Sequence, residues 1–372
     1  MVRFLALFVV GIYSAAFGCT AFQLKAEDGA YVYCRTLEFG YEMDSHLLIV
    51  PRGTEYMGTA QKGEGLKWKT KYGYVGMNLS LARNLISDGM NEKGLVVGAL
   101  YIPGFVQYET PDAKRAKATL GGWELTSFLL GTCQTVEEVK KVLPTILVGQ
   151  VGMPQLADFI FPLHFYIGDQ TGAVAIVEYI KGKREVFDNP LGTLTNSPNF
   201  DWHLLNLDRY LNLSPRNGAD LQLPNWTLKG MGQGTGLVGL PGDFSPPSRF
   251  VRAALFSQFA AEQKKGIDAV RLGFHILNSF DIFSGIVQPQ IEEQKKGVSI
   301  GTPEPEITQW VIVHDRLNLK TYWRTYGSLQ IQMADLNKID FSTAGLREML
   351  INNDFRVEEV TEMLEIPHIS PP

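Results

Sequence analysis

Apolar and polar residues alternate with a period of two along several short stretches, the pattern of half-buried β-strands. A hairpin is predicted first, with strands over residues 20–26 and 30–35 joined by the turn Glu27-Asp28-Gly29. Further strands are predicted at residues 47–51, 94–101, 164–168, 173–179, 184–187, 310–314 and 321–325.

Segments with the apolar spacing of a helix lie in groups between these groups of strands. Helices are predicted over residues 123–130, 136–143, 247–262 and 267–280. Grouped strands and grouped helices are typical of an α+β fold rather than of repeated βαβ units. Residues 215–242 are rich in Gly, Pro and Asn, a composition that predicts a long loop. The three prolines within residues 366–372 predict an irregular tail. No repeat or linker divides residues 19–372, so one domain is expected.

The N-terminal segment has the pattern of a secretory signal. Arg3 precedes an apolar run over residues 4–13, and small residues occupy positions 16 and 18. The run is shorter than the ~20 residues of a membrane-spanning helix, so no permanent span is expected. The sequence therefore predicts a signal over residues 1–18, a mature chain that begins at Cys19, and a periplasmic or secreted protein. The alternative is a lipoprotein with lipidated Cys19, although Phe17 and the absence of a leading Leu make a poor lipobox.

Composition narrows the functional classes. With 45% hydrophobic and 20% charged residues among 372, the chain has an ordinary globular profile. Its formal net charge of -5 argues against a nucleic-acid partner. Three cysteines make no disulfide framework, and Cys34 and Cys133 are expected in the core. The six histidines show no metal-ligand spacing, and the glycine pattern at 234–239 does not follow a strand, so neither a metal nor a cofactor is expected.

Cys19 is the strongest candidate for chemistry, because a cysteine at a new N-terminus carries both a nucleophilic thiol and a basic α-amine. The predicted hairpin brings the chain near Arg35 and Glu38 back beside it. With a two-residue turn at Asp28-Gly29, Cys19 would lie opposite Glu38, although a bulge would shift this register. A cation and a carboxylate are thus expected close to the terminal thiol and amine.

Five blocks of the sequence resemble the choloylglycine hydrolase family of N-terminal nucleophile hydrolases, which includes conjugated bile acid hydrolases and penicillin V acylases. The blocks are Cys19-Thr20-Ala21-Phe22, Arg35-Thr36-Leu37-Glu38-Phe39, Asp88-Gly89-Met90-Asn91-Glu92-Lys93-Gly94-Leu95, Leu194-Thr195-Asn196-Ser197-Pro198 with Phe200-Asp201-Trp202-His203, and Gly232-Gln233-Gly234-Thr235-Gly236-Leu237 through Pro241-Gly242-Asp243-Phe244 to Ser248-Arg249-Phe250. The resemblance covers nearly the whole mature chain and implies a four-layer αββα sandwich.

The resemblance also implies roles for single residues. Cys19 would attack the amide carbonyl of an N-acyl substrate and form a thioester that water hydrolyses. Arg35 would stabilise the thiolate, and Arg249 would support the charge network of the site. The side chain of Asn196 and the main-chain amide of Tyr101 would donate to the oxyanion.

Two positions depart from the usual family pattern. Glu38 stands where the family usually has Asp to orient the N-terminal amine, so activity is expected to be reduced or differently tuned. Tyr101 stands where bile salt hydrolases typically carry Asn and penicillin V acylases typically carry Tyr. The blocks around Asn196 and Arg249 resemble bile salt hydrolases more closely, as does the full-length loop between Trp202 and Gly232. In the family this loop contributes to tetramer assembly, which implies a homotetramer.

The leading hypothesis is an amidohydrolase whose small-molecule substrate is a glycine- or taurine-conjugated bile acid. Penicillin V or an N-acyl homoserine lactone would keep the chemistry and change the acyl group. A hypothesis of another class is a lipid-anchored, non-catalytic binding protein, favoured if Cys19 is acylated or if Glu38 misplaces the amine. The state of the mature N-terminus discriminates between the hydrolase and the binding protein.

Overall fold

The structure is a computed structural model that describes residues 18–79, 82–290, 304–343 and 345–363. The predicted signal, apart from Gly18, and the predicted irregular tail lie outside the described residues. Within the described residues, no helix is long and apolar enough to cross a membrane.

Two large antiparallel sheets form the centre of the molecule. The smaller sheet has the strand order β1-β2-β16-β17-β18. Its strands are β1 (Cys19–Lys25), β2 (Tyr31–Phe39), β16 (Ile307–Asp315), β17 (Lys320–Thr325) and β18 (Gln332–Asp335).

The larger sheet has the order β13-β12-β11-β8-β7-β6-β3-β19. Its strands are β3 (His46–Val50), β6 (Tyr74–Leu79), β7 (Ala82–Asn91), β8 (Val96–Tyr101), β11 (Leu163–Gly168), β12 (Val174–Ile180), β13 (Lys183–Asp188) and β19 (Arg347–Leu350). The described residues also contain three two-stranded pairs: β4 (Glu55–Met57) with β5 (Lys67–Lys69), β9 (Thr119–Gly121) with β10 (Leu147–Gly149), and β14 (Leu221–Leu223) with β15 (Trp226–Leu228).

Helices cover the outer faces of both sheets. They are α1 (Leu125–Thr132), α2 (Val136–Val142), α3 (Phe200–Leu207), α4 (Pro246–Phe259) and α5 (Gly266–Leu277). Helix α1 packs on β7 and β8, whereas α4 and α5 pack on β1 and β2. The sheets face each other, since the rings of Tyr33 and Tyr166 lie 4.7 Å apart across the interface. This layering is the α+β sandwich, αββα, that the sequence blocks implied.

The first hairpin forms as predicted, but the strand register expected from a two-residue turn was wrong by one residue. Three residues, Glu27-Asp28-Gly29, make the turn, and Gly29 adopts the left-handed φ of 89° that glycine favours. The pairing places Cys19 opposite Leu37, not opposite Glu38. Because successive strand residues point to opposite faces, the side chain of Glu38 lies on the face opposite to the Cys19 thiol.

The four predicted helices and the predicted strands all form, with ends shifted by a few residues. The sequence pattern missed helix α3 and the neighbouring strands β6 and β7 in the middle of the larger sheet. Every residue of β6 is buried, so this strand has no polar face to produce alternation. The predicted loop over residues 215–242 contains the exposed hairpin β14–β15. Cys34 and Cys133 are free and buried in the core, as predicted.

Candidate active site

The thiol of Cys19 lies in the interior between the two sheets. Cys19 begins β1 and is 3% exposed, and Arg35 Nη2 on β2 lies 3.5 Å from its Sγ. Burial raises the pKa of the Cys19 thiol, whereas the charge of Arg35 acts in the opposite direction. Since burial has the larger effect, the thiol requires a base before it can act as a nucleophile.

The main-chain nitrogen of Cys19 lies within hydrogen-bond distance of Asn196. Gly18 precedes Cys19 in the structure, so this nitrogen is a peptide amide, and it donates to Asn196 Oδ1 over 2.8 Å. Asn196 Nδ2 donates to the carbonyl oxygen of Tyr101 over 2.7 Å. An amide NH₂ group carries two protons. The second proton of Asn196 Nδ2 is therefore available to a further acceptor.

Arg249 on α4 connects these groups from the helix layer. Its Nη2 donates to Asn196 Oδ1 over 2.7 Å, and its Nη1 donates to the Cys19 carbonyl oxygen and to Thr20 Oγ1. Arg249 and Arg35 are each 1% exposed. Neither arginine is a solvated surface residue, and both guanidinium groups lie against the predicted nucleophile.

Glu38 lies beside the segment that precedes Cys19. Its main-chain N–H donates to the Gly18 carbonyl oxygen over 2.8 Å, and a Cβ atom at residue 18 would lie 3.2 Å from Glu38 Oε2. Oε2 is buried without a hydrogen-bond partner among the described residues, whereas Thr308 Oγ1 donates to Oε1. Burial raises the pKa of Glu38 to about 8, although the charge of Arg249 opposes this shift. The Glu38 carboxyl group could therefore accept a hydrogen bond from a cationic group placed beside Oε2.

The pKa of Glu38 predicts a pH-dependent stability for protein that retains Gly18. A carboxyl pKa raised by folding adds stability that is present below pH ~4.5 and is lost as the pH rises through about 8. Glu38→Gln should remove about 2–4 kcal/mol of this pH dependence, measured as urea unfolding at pH 5 and pH 8.5. Glu42→Gln at an exposed position is the matched control. Equal pH dependence in wild type and Glu38→Gln would contradict the prediction.

A buried network behind Arg35 was not predicted from the sequence. Asp88 Oδ2 accepts from Arg35 Nη1 over 2.9 Å and from the Tyr33 hydroxyl over 2.8 Å. Asp88 Oδ1 lies 2.8 Å from His314 Nε2. These contacts hold the guanidinium of Arg35 beneath the thiol. Asp88 could have been identified as a candidate because it begins the third sequence block. The sequence did not show that its carboxylate pairs with Arg35.

An apolar cavity of about 40 Å³ opens beside the thiol. Besides Cys19 and the charged groups of the site, its wall contains Leu37, Phe39, Met43, Leu79, Leu85, Ser87, Ala99, Tyr101, Phe161 and Leu163. This volume accommodates a reacting carbonyl group rather than a complete acyl chain. A larger groove of about 900 Å³ lies between α5 and β17, and its lining contains none of the six predicted site residues.

The described residues contain no group of three or more His, Cys, Asp or Glu side chains arranged to hold a metal ion. The six residues predicted from the sequence nevertheless converge at the start of β1. Cys19, Arg35, Tyr101, Asn196 and Arg249 are joined by the contacts above, whereas Glu38 adjoins Gly18. The arrangement brings a thiol, a main-chain nitrogen, and amide and guanidinium donors together in the interior. Of the six residues, Cys19, Arg35, Glu38 and Tyr101 line the small apolar cavity.

Comparison with known proteins identifies the family of the chain. Residues 19–351 match the family described as linear amide C–N hydrolases, choloylglycine hydrolase family. A bile salt hydrolase/transferase of Clostridium perfringens is 32% identical over 354 residues, covering 95% of this chain and all of the relative. A penicillin V acylase of Pectobacterium atrosepticum is 27% identical, covering 89% of this chain and 84% of the relative.

A solved structure shows the same fold. A variant of conjugated bile acid hydrolase from Clostridium perfringens superposes with a TM-score of 0.79 at 29% identity, covering 92% of this chain and all of the other. The family match spans the strands, the helices and the convergent site described above. The chain therefore belongs to the choloylglycine hydrolase family of linear amide C–N hydrolases.

Proposed function

We propose that the protein hydrolyses an N-acyl amide with Cys19 as its N-terminal nucleophile, after removal of residues 1–18. One observation carries the proposal: the thiol and the main-chain nitrogen of Cys19 lie together against Arg35 and Asn196, in a buried apolar site. Cleavage before Cys19 would turn this nitrogen into an α-amine.

The α-amine would act as the base. Its ordinary pKa of ~7.7–8.0 lets it take the thiol proton near neutral pH, directly or through one water molecule. Glu38, which adjoins the position of Gly18, would accept a hydrogen bond from the resulting ammonium group. Arg35, 3.5 Å from the sulfur, would stabilise the thiolate.

The thiolate would then attack the amide carbonyl carbon and form a C–S bond, with the carbonyl electron pair moving to oxygen. The remaining Asn196 Nδ2 proton and the main-chain amide of Tyr101 would donate to this oxyanion. Collapse breaks the C–N bond, and the ammonium group of Cys19 protonates the leaving amine. Water then hydrolyses the thioester, activated by the same α-amine, and releases the carboxylic acid.

A conjugated bile acid is the leading substrate. Support comes from the bile salt hydrolase/transferase relative, which spans nearly all of this chain, and from the apolar wall of the cavity. Tyr101 favours a second candidate, penicillin V, because penicillin V acylases typically carry Tyr at this position. An N-acyl homoserine lactone shares an apolar acyl group with both.

The test is the release of free amine by mature protein from glycocholate, taurocholate, penicillin V and an N-acyl homoserine lactone, followed by mass spectrometry. The proposal expects release from at least one substrate and no release with Cys19→Ala. The relative rates would rank the acyl groups. No release from any substrate, with a free Cys19 terminus verified by mass, would reject the substrate class and favour a binding role.

We also propose export to the periplasm or the cell exterior, supported by the signal pattern ahead of Cys19. The proposed export is tested by recovering the protein from the periplasm or the medium and measuring its intact mass. A mass that begins at unmodified Cys19 supports the hydrolase, whereas an acylated Cys19 would support the lipid-anchored alternative, because acylation of the amine removes the base.

A homotetramer is proposed from the exposed hairpin β14–β15. Trp226 is 69% exposed and Leu228 is 48% exposed, so the hairpin presents apolar side chains to solvent, as protein interaction sites do. Trp226→Asp should lower the molar mass in solution, measured by light scattering after size-exclusion chromatography. Met57→Asp, also at an exposed apolar position of a short strand, is the control. Identical masses for wild type and Trp226→Asp would contradict a role for the hairpin in assembly.

A further inference from the structure

Two buried histidines lie behind the segment that carries Asn196. His164 on β11 places Nε2 2.8 Å from the carbonyl oxygen of Thr195. His203 on α3 places Nε2 2.9 Å from the carbonyl oxygen of Asn196. Both side chains are fully buried. Because a carbonyl oxygen only accepts hydrogen bonds, each Nε2 must carry a proton and donate it.

The ring of His203 is held in one orientation. It stacks on Phe250 with a centroid distance of 4.6 Å and an interplanar angle of 11°. Its Nδ1 is buried without a partner among the described residues. Burial lowers the pKa of His203 to about 4, so the ring is neutral at the pH of a working enzyme, with its proton on Nε2.

The ring of His164 is held by Glu178. His164 Nδ1 lies 2.9 Å from Glu178 Oε1, which also accepts from the main-chain N–H of Phe200. Glu178 Oε2 accepts from Asn199 Nδ2 over 3.0 Å. The carboxylate is thus anchored to the start of α3, and through it the imidazole is fixed against the Thr195 carbonyl.

The two carbonyl groups that accept hydrogen bonds from the histidines flank the α-carbon of Asn196. The carbonyl of Thr195 belongs to the peptide plane before that carbon, and the carbonyl of Asn196 belongs to the plane after it. Fixing both planes fixes φ and ψ of Asn196, and these dihedral angles determine which side-chain rotamers are accessible. The histidines therefore limit the directions in which Asn196 Nδ2 can point.

We propose that His164 and His203 are positioning residues of the oxyanion site, which aim Asn196 Nδ2 by holding the carbonyls on both sides of its α-carbon. This inference rests on the proposed role of Asn196 in amide hydrolysis. Neither histidine touches the reacting atoms. Loss of a complete oxyanion donor costs on the order of 10²–10³ in rate, so a misdirected donor should cost less.

The test compares His203→Leu, which removes the donor, with His203→Gln, whose side-chain amide can still donate to the carbonyl. We expect His203→Leu to lower kcat about 10–100-fold with KM changed by less than about threefold, and His203→Gln to recover part of the loss. His164→Leu should behave in the same way. His275→Leu on the exposed face of α5 is the matched control and should keep wild-type kinetics.

Two reactions of the Cys19 thiol distinguish a misplaced oxyanion donor from a general loss of thiol reactivity. Acylation of Cys19 by p-nitrophenyl phenoxyacetate forms a tetrahedral oxyanion and releases nitrophenolate, whatever the natural substrate is. Alkylation by iodoacetamide forms no such oxyanion. The acylation rate of His203→Leu should fall at least about tenfold more than its alkylation rate. Equal losses in both reactions, or no loss in either, would overturn the inference.

A crystal structure of His203→Leu supplies a readout that needs no activity. Asn196 Nδ2 should leave its position against the Tyr101 carbonyl oxygen, which is 2.7 Å away in the wild-type protein. An unchanged Asn196 side chain would overturn the inference even if the proposed hydrolysis failed. Conversely, a displaced side chain in a protein that hydrolyses no amide would reject the proposed function and leave the positioning role supported.

Discussion

Replacing Cys19 by alanine should abolish amide hydrolysis, with a loss of about 10⁴-fold or more in kcat. The thiol is the nucleophile in the proposed mechanism. Within 3.5 Å of its sulfur the structure places the guanidinium of Arg35, a group that stabilises negative charge rather than attacks a carbonyl. Alanine fits the site without strain, so the fold should persist. The measurement is steady-state amine release from the preferred substrate, with thermal unfolding as a check of the fold.

Cys133→Ala is the matched control, because Cys133 is also a buried free thiol but lies outside the cavity beside Cys19. It should retain most of the activity. If Cys19→Ala keeps more than about 1% of the wild-type rate, another group is the nucleophile and the proposed mechanism is wrong.

Protein that keeps Gly18 ahead of Cys19 should lose activity by about 10²–10⁴-fold, because a peptide nitrogen cannot serve as the general base. The structure describes this form directly. Gly18 is buried, its carbonyl oxygen accepts from Glu38, and the Cys19 N–H still donates to Asn196 Oδ1. The site is therefore assembled around a thiol whose pKa burial has raised, with its base blocked as an amide.

The comparison uses two proteins that differ by one residue, one beginning at Cys19 and one beginning at Gly18. Both are assayed on the same substrate, and intact mass after the assay verifies that Gly18 remains attached. Equal kcat values would show that the α-amine is not the base. A large loss with Gly18, in a protein that thermal unfolding shows to be folded at pH 6, would assign the base to the α-amine.

Local patterns in the sequence were sufficient for most of the secondary structure. The hairpin that begins at Cys19 and the helices α1, α2, α4 and α5 follow from apolar spacing and turn residues over short stretches. The pattern failed for β7 and α3, and for β6, which is buried on both faces and shows no alternation. It also failed for the register of the hairpin, since three residues rather than two make the turn.

Tyr101, Asn196 and Arg249 were assigned roles only through the resemblance, whereas the signal and hairpin patterns already pointed to Cys19, Arg35 and Glu38. Asn196 is 177 positions from Cys19, and nothing in its own segment distinguishes an oxyanion donor from a turn residue. Likewise, Asp88 heads a recognisable block, but only the packing of β7 against β2 shows that its carboxylate holds Arg35. His203 lies in one of the sequence blocks but was assigned no role, and its contact with the Asn196 carbonyl suggests one.

By itself the sequence determined the chemistry that is local to the chain: a thiol and a main-chain nitrogen in one residue, and the short-range periodicities that make strands and helices. The tertiary structure decided which distant groups surround that residue, how far burial raises the pKa of Cys19 and Glu38, and which face of β2 carries each side chain. The reason is physical. Strand register and desolvation arise from contacts between segments far apart in the chain, and a one-residue change in a turn reverses the face of every side chain that follows.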